Sequence, residues 1–248
     1  LCPVTLELGG KNPNIIMSDA DLDIAIPGVI DGMRYTRQGQ ACTAGSRVYI
    51  HEKIYDKVLN GAVEKLSKLK MGNALDEKSD IGAIISEEQL KRTLYYMDIA
   101  KKNSSTKILH GGNQSKGGDY KDGFYYEPTL LSGLPVSSPV CQEEVFGPVA
   151  CAIPFKSFDE VMESANDTQF GLSAVLWTKD LSRALQFVDE IEAGFVQVNQ
   201  CVAPRANVSY GGIKMSGLGK EYAFDSMMNH FTQSKTVLIN RGKSNLDV

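Results

Sequence analysis

Strand-sized apolar runs alternate with helix-sized amphipathic ones along most of this chain, which leaves few architectures open. A strand, a helical crossover and another strand in repetition build an α/β domain: a largely parallel sheet flanked by helices. The strand candidates are residues 4–8, 48–51, 149–155, 172–178 and 195–199. Between them, residues 54–69 place Ile54, Val58, Leu59, Ala62, Val63 and Leu66 along one helical face, and Gly72 follows as a stop. Ser86 with Gln89, and Ser157 with Glu160, read as capping boxes that open two more helices. A further helix over 21–37 is interrupted by Pro27 and Gly28, which predicts a kink or a late start. Residues 113–123, rich in Gly, Lys, Ser and Asp, read as a flexible surface loop before an extended pattern resumes over 125–131. The polar tail 243–248 reads as frayed.

The 248 residues, 42% hydrophobic and 23% charged, have the composition of a soluble globular protein of one large or two small domains. A net charge of -4 provides no broad basic surface for nucleic acid or anionic lipid, and neither is an expected partner. No apolar run approaches the roughly 20 residues that span a bilayer, and the first residues lack the basic-then-apolar order of a signal peptide, so the chain is read as cytosolic. The five cysteines include no Cys-x-x-Cys pair and read mostly as free thiols. There is no G-x-G-x-x-G, P-loop, H-E-x-x-H or G-x-S-x-G run, and no metal site is expected. The four glycines between Gly211 and Gly219 have the wrong spacing for a dinucleotide fingerprint and read as a turn with close backbone packing.

Three runs carry candidate chemistry. Cys42 lies in Gly39-Gln40-Ala41-Cys42-Thr43-Ala44-Gly45-Ser46-Arg47, where small neighbours leave a substrate room to reach the thiol. Attack on a carbonyl needs the thiolate, favoured by a cation, a helix N-terminus or a base; Arg47 is either such a cation or a surface ion-pair residue. Glu7 lies in Leu6-Glu7-Leu8-Gly9-Gly10-Lys11-Asn12-Pro13. It is either a strand-edge carboxylate facing water or, desolvated by the flanking leucines, a general base of raised pKa. The third run is Glu143-Glu144-Val145-Phe146-Gly147-Pro148. It is either a solvated acidic loop or a carboxylate for vicinal ribose hydroxyls beside an aromatic wall.

In this order, the three runs resemble the glutamate, cysteine and cofactor-ribose motifs of the aldehyde dehydrogenase superfamily. The run from Tyr210 to Glu221 and the ending Gln233-Ser234-Lys235-Thr236-Val237 resemble its C-terminal pattern. The resemblance covers nearly the whole chain. It implies Cys42 as nucleophile, Glu7 as general base, Glu144, Phe146 and Leu8 at the cofactor, and NAD or NADP as that cofactor. Tyr210 stands where the family more often has Phe, a difference expected to matter little. Arg205, in the region resembling the variable substrate entry, is either a contact for an anionic or polar aldehyde or a solvated loop cation.

The resemblance further implies that residues 1–10 are the end of a cofactor-binding domain or a linker, 11–231 the catalytic domain, and 232–248 a C-terminal oligomerisation strand and tail. The chain is accordingly read as a catalytic-domain piece of a longer protein. That protein would also supply most of a Rossmann-like domain and an asparagine of the oxyanion hole. In the intact protein the implied reaction oxidises an aldehyde to a carboxylic acid through a hemithioacetal and a thioester on Cys42, and this piece alone is expected to fold but to be inactive as a dehydrogenase. A coenzyme A-acylating relative and a non-catalytic interaction module are the alternatives. The run Thr236-Val237-Leu238-Ile239 reads as a strand without a partner in the chain, and predicts a homodimer or homotetramer.

Overall fold

The computed structural model describes residues 4–240. Its strands are β1 (Leu6–Glu7), β2 (Pro13–Ile16), β3 (Arg47–His51), β4 (Lys107–His110), β5 (Thr129–Ser132), β6 (Val149–Phe155), β7 (Phe170–Gly171), β8 (Ser173–Trp177), β9 (Phe195–Val198), β10 (Ile213–Lys214) and β11 (Gly217–Leu218). The helices are α1 (Leu22–Gly32), α2 (Tyr55–Leu66), α3 (Glu87–Lys102), α4 (Pro139–Gln142), α5 (Phe158–Asn166), α6 (Leu181–Glu190) and α7 (Phe224–Phe231).

Seven strands form one sheet in the order β4-β5-β6-β3-β2-β8-β9, parallel throughout except where β4 pairs with β5. This is the α/β architecture with a largely parallel sheet that the alternation predicts. Side chains of successive strand residues point to opposite faces, and each face has its own core. Ile15, Tyr49 and Leu176 join Leu90, Val161 and Phe187 on the side of α3, α5 and α6. Ile16, Val48 and Trp177 join Val29, Val58 and Leu66 on the side of α1 and α2. Covered on both faces, a central strand reads as a continuous apolar run, and β6 is buried everywhere except at Pro154.

Two strands of the main sheet lie outside the sequence expectations. β2 begins with a proline and an asparagine, and Asn14 tolerates full burial because its Oδ1 accepts from Trp177 Nε1 (2.7 Å) and its Nδ2 donates to the Gly28 carbonyl (3.2 Å). β4 is an edge strand with exposed Lys107 and Ile108 and a register irregularity, so it lacks an apolar signature.

The predicted late start near Pro27 is corrected. Helix α1 begins at Leu22 and runs through the proline, capped by Asp21, whose side chain accepts from the Asp23 N–H. The adjacent Gly28 reflects packing rather than a break, because a Cβ there would overlap the Trp177 indole. At α3 and α5 the capping serines accept from the Gln89 and Glu160 N–H groups, while the partner side chains of the two boxes go elsewhere: Gln89 to the carbonyls of Val145 and Phe146, Glu160 to the Lys156 N–H. Residues 232–240 have no regular secondary structure, and Leu238 is 92% exposed. The tail 243–248 and Cys2 lie outside the described residues. No described helix is long and apolar enough to cross a membrane.

Candidate active site

The candidate residues gather at the amino-terminal edge of the parallel sheet. Pro13, Arg47 and Cys151 stand in register, so β2, β3 and β6 start nearly flush, and Glu7, Cys42 and Glu144 all lie in the segments leading into them. Asn12 ties the entries of β2, β3 and β8 together. Its Nδ2 donates to the carbonyls of Cys42 (2.8 Å) and Ala44 (2.9 Å), and its Oδ1 accepts from the Ser173 N–H (2.9 Å) at the start of β8. Gly10 lies so close to the Cys42 carbonyl that a Cβ would collide with it.

Cys42 is half-buried, and its sulfur lies 3.5 Å from the Tyr210 hydroxyl. Arg47 is neither the cation beside this thiol nor a surface ion-pair residue. It is fully buried, and its guanidinium donates to the carbonyls of Lys11 (2.8 Å), Ser164 (3.1 Å) and Ala165 (2.9 Å), fastening the end of α5 to the entry of β2.

Glu7 sits on β1, which is confined to Leu6–Glu7 and pairs antiparallel with β11 outside the main sheet. The neighbouring leucines do not enclose it: Leu6 is 42% and Leu8 45% exposed. Its carboxyl is nevertheless raised above the usual range, first by what desolvation remains, then by the charge of Glu221 beside it. Glu221 is held by the Thr5 hydroxyl (2.7 Å). The Tyr210 hydroxyl meets the Cys42 thiol, and its pKa is raised by burial first, then by Cys42 and by the charge of Glu7.

Glu144 is fixed by its Oε1, which accepts from the Gly10 N–H (2.9 Å). Its other oxygen points toward Gly9, where a Cβ would come within 2.7 Å. Leu8, Gly9 and Glu144 line one open hollow of about 450 Å³, together with Arg92 and Met215. Burial raises the Glu144 carboxyl, opposed by the Gly10 N–H and by the charges of Arg92 and Lys11. Phe146 is not among the residues lining that hollow; it lines a narrow gap with Gly10, Gly39 and Ala41. Its backbone has φ of 53°, a conformation held by Gln89. Arg205 is exposed and lines a separate hollow of about 260 Å³ with Phe195 and Val208, to which Cys42 does not contribute. Among the described residues no cluster of His, Cys, Asp or Glu could hold a metal ion.

Sequence reasoning missed Asn12, Tyr210 and Glu221 as parts of the site. Asn12 carried a signal, a polar residue before an apolar strand start, but its partners lie 30 and more residues away. The positions of Tyr210 and Glu221 relative to Cys42 and Glu7 are purely tertiary.

A free thiol and a carboxylate at one open sheet edge, with a second carboxylate fixed to accept hydrogen bonds, is an arrangement suited to nucleophilic thiol chemistry on a carbonyl. The aldehyde dehydrogenase family pattern matches residues 1–237, and the chain belongs to that family. It is 40% identical over 245 residues to an aldehyde dehydrogenase of Rhodospirillum rubrum, covering 96% of this chain and 48% of that protein. Among solved structures it resembles an NAD+ complex of aldehyde dehydrogenase from Bacillus cereus, with TM-score 0.87 and 36% identity over 92% of this chain and 45% of the other. It also resembles betaine aldehyde dehydrogenase from Staphylococcus aureus in complex with NAD+, with TM-score 0.87 and 35% identity over 91% of this chain and 44% of the other. The chain spans about half the length of the curated relatives it matches.

Proposed function

We propose that this chain carries the nucleophile and the base of an enzyme that oxidises an aldehyde to a carboxylic acid with NAD or NADP. The observation that carries the reading is the placement of Cys42 and Glu7 in segments that enter adjacent strands at the same amino edge of the sheet. The Cys42 thiolate adds to the aldehyde carbon, placing the carbonyl electron pair on oxygen as a hemithioacetal anion. A nicotinamide cofactor, when bound, supplies the acceptor for the hydride that leaves this carbon. The resulting thioester is cleaved by water: Glu7 takes the proton as the oxygen attacks, and the acid leaves as the Cys42 thiolate is restored.

The residues at the edge fit the cofactor's riboside. Glu144 presents a fixed oxygen able to accept from vicinal hydroxyls, and Gly9 leaves open the space that a side chain would fill. Leu8 borders the same hollow, and Phe146, which the resemblance places at the cofactor, lines the narrow gap on the other side of Glu144 and Gly10. NAD is favoured by the complexes of the solved relatives. Glu7 argues against transfer to coenzyme A, since a thiol acceptor can arrive as a thiolate and needs less help from a base. Arg205, beyond Phe195, suits a polar or anionic group at the far end of the aldehyde. Residues 11–231 are read as the catalytic domain and 232–248 as a strand and tail for a homodimer or homotetramer. A reduced nucleophilic thiol suits the cytoplasm.

Assaying an aldehyde panel with NAD and with NADP on the longer protein that carries this chain, as wild type, Cys42→Ala and Glu7→Gln, tests this reading. C42A should lose both turnover and the covalent adduct seen by mass spectrometry, and persistence of either moves the nucleophile elsewhere. E7Q should keep a stoichiometric burst of reduced cofactor while steady turnover collapses; loss of the burst as well would mean that Glu7 also activates the thiol.

A further inference from the structure

We propose that Tyr210 is a positioning residue for the nucleophile, its hydroxyl donating a hydrogen bond to Cys42 Sγ that steadies the thiolate in one orientation. The inference rests on the reading of Cys42 as nucleophile and adds a residue acting through it. The contact is 3.5 Å, within the range of an O–H···S hydrogen bond, and it joins residues 168 positions apart. Tyr210 is only 3% exposed, so its hydroxyl cannot readily exchange this partner for bulk water.

Three observations show that the ring is fixed in place. Its backbone is locked in an antiparallel bridge, with the Tyr210 N–H donating to the Glu221 carbonyl (3.0 Å) and the Glu221 N–H donating back (2.7 Å). Phe195 from β9 packs edge-on against the ring, centroids 5.5 Å apart. Tyr222 packs against it at 5.6 Å and 88°. A hydroxyl on a ring held from three sides is preorganised, so little conformational entropy is lost in aiming it at the sulfur.

The titratable groups facing Tyr210 are Cys42, Glu7 from β1 and Tyr222, with Glu221 acting on Glu7 behind them. Burial and these neighbours all push the phenol above its ordinary value, so it keeps its proton and serves as the donor. The lysines that follow Tyr210 are committed elsewhere, Lys214 to the carbonyls of Asn166 and Thr168 and Lys220 to those of Gly211 and Gly212. A hydrogen bond made to the thiolate favours that form over the thiol.

The test follows alkylation of Cys42 by iodoacetamide across a pH series, in the full chain, by mass spectrometry of the Cys42 peptide. Tyr210→Phe removes the hydroxyl and keeps the ring, so the packing survives. Its half-maximal pH should rise by about half a unit to one unit, the equivalent of one hydrogen bond. The plateau rate at high pH should not fall, because a more basic thiolate is the better nucleophile. Tyr222→Phe, which alters the packing partner and leaves the Tyr210 hydroxyl in place, should titrate like wild type. An unmoved midpoint in Y210F overturns the proposal, as does an equal shift in Y222F or a rate change uniform across pH, which would indicate altered access to the thiol. Because alkylation reports the hydrogen bond whether or not Cys42 turns over aldehyde, its outcome is separable from the C42A and adduct experiments that test the nucleophile itself.

Discussion

Glu7 works as a base only when ionised, and both desolvation and the neighbouring Glu221 raise its pKa. Removing the second charge lowers the Glu7 pKa and extends the ionised form to more acidic solution. In Glu221→Gln the acid limb of thioester hydrolysis should therefore move to lower pH, read from the pH profile of steady-state activated-ester cleavage. A limb at its wild-type position would show that Glu221 does not act on the base. Cys42 could be singled out in the sequence because small residues around a thiol are unusual company for a buried cysteine. At Glu7 the sequence leaves base and water-facing carboxylate open; desolvation, the cause it suggests, is the first cause of the raised pKa, but the second, Glu221, lies 214 positions further along the chain. No local pattern encodes that kind of proximity.

Among the elements, the strands buried on both faces were the most legible: the predicted span 149–155 coincides with β6. β2 was hidden because a parallel strand can begin with Pro13 and Asn14 when the asparagine finds buried partners. The Pro27-Gly28 pair was legible as an irregularity and misleading as to its cause. Gly28 permits α1 to lie directly on the Trp177 indole, so Gly28→Ala should destabilise the fold by about 1–3 kcal/mol through overpacking, measured by denaturant unfolding. Unchanged stability would mean that α1 can move away from β8 without loss. In open α/β sheets ligands generally bind beyond the carboxyl ends of the strands. That edge does carry a hollow, of about 370 Å³, bordered by Thr178, Lys179 and Asn199. Yet the candidate nucleophile and carboxylates lie at the opposite edge, placed by the turns that enter the strands.

For the whole molecule, the exposed run 236–239 is the feature that bears on assembly. Val237, Leu238 and Ile239 all face solvent in the single chain, an apolar surface suited to pairing with a second copy. Leu238→Glu should leave the fold intact, since the side chain is almost wholly exposed, and lower the sedimenting mass of the proposed homodimer or homotetramer; an unchanged mass would place the interface elsewhere. Asn12 bears on how long the molecule stays competent. Asparagine side chains age by cyclising onto the backbone nitrogen of the next residue, which must give up its hydrogen to close the ring. Here the next residue is Pro13, whose nitrogen carries none. The amide that fastens the nucleophile's loop to two strand entries is thereby shielded from the commonest route by which old protein acquires stray carboxylates. The proline that opens β2 also acts as a chemical preservative of the site.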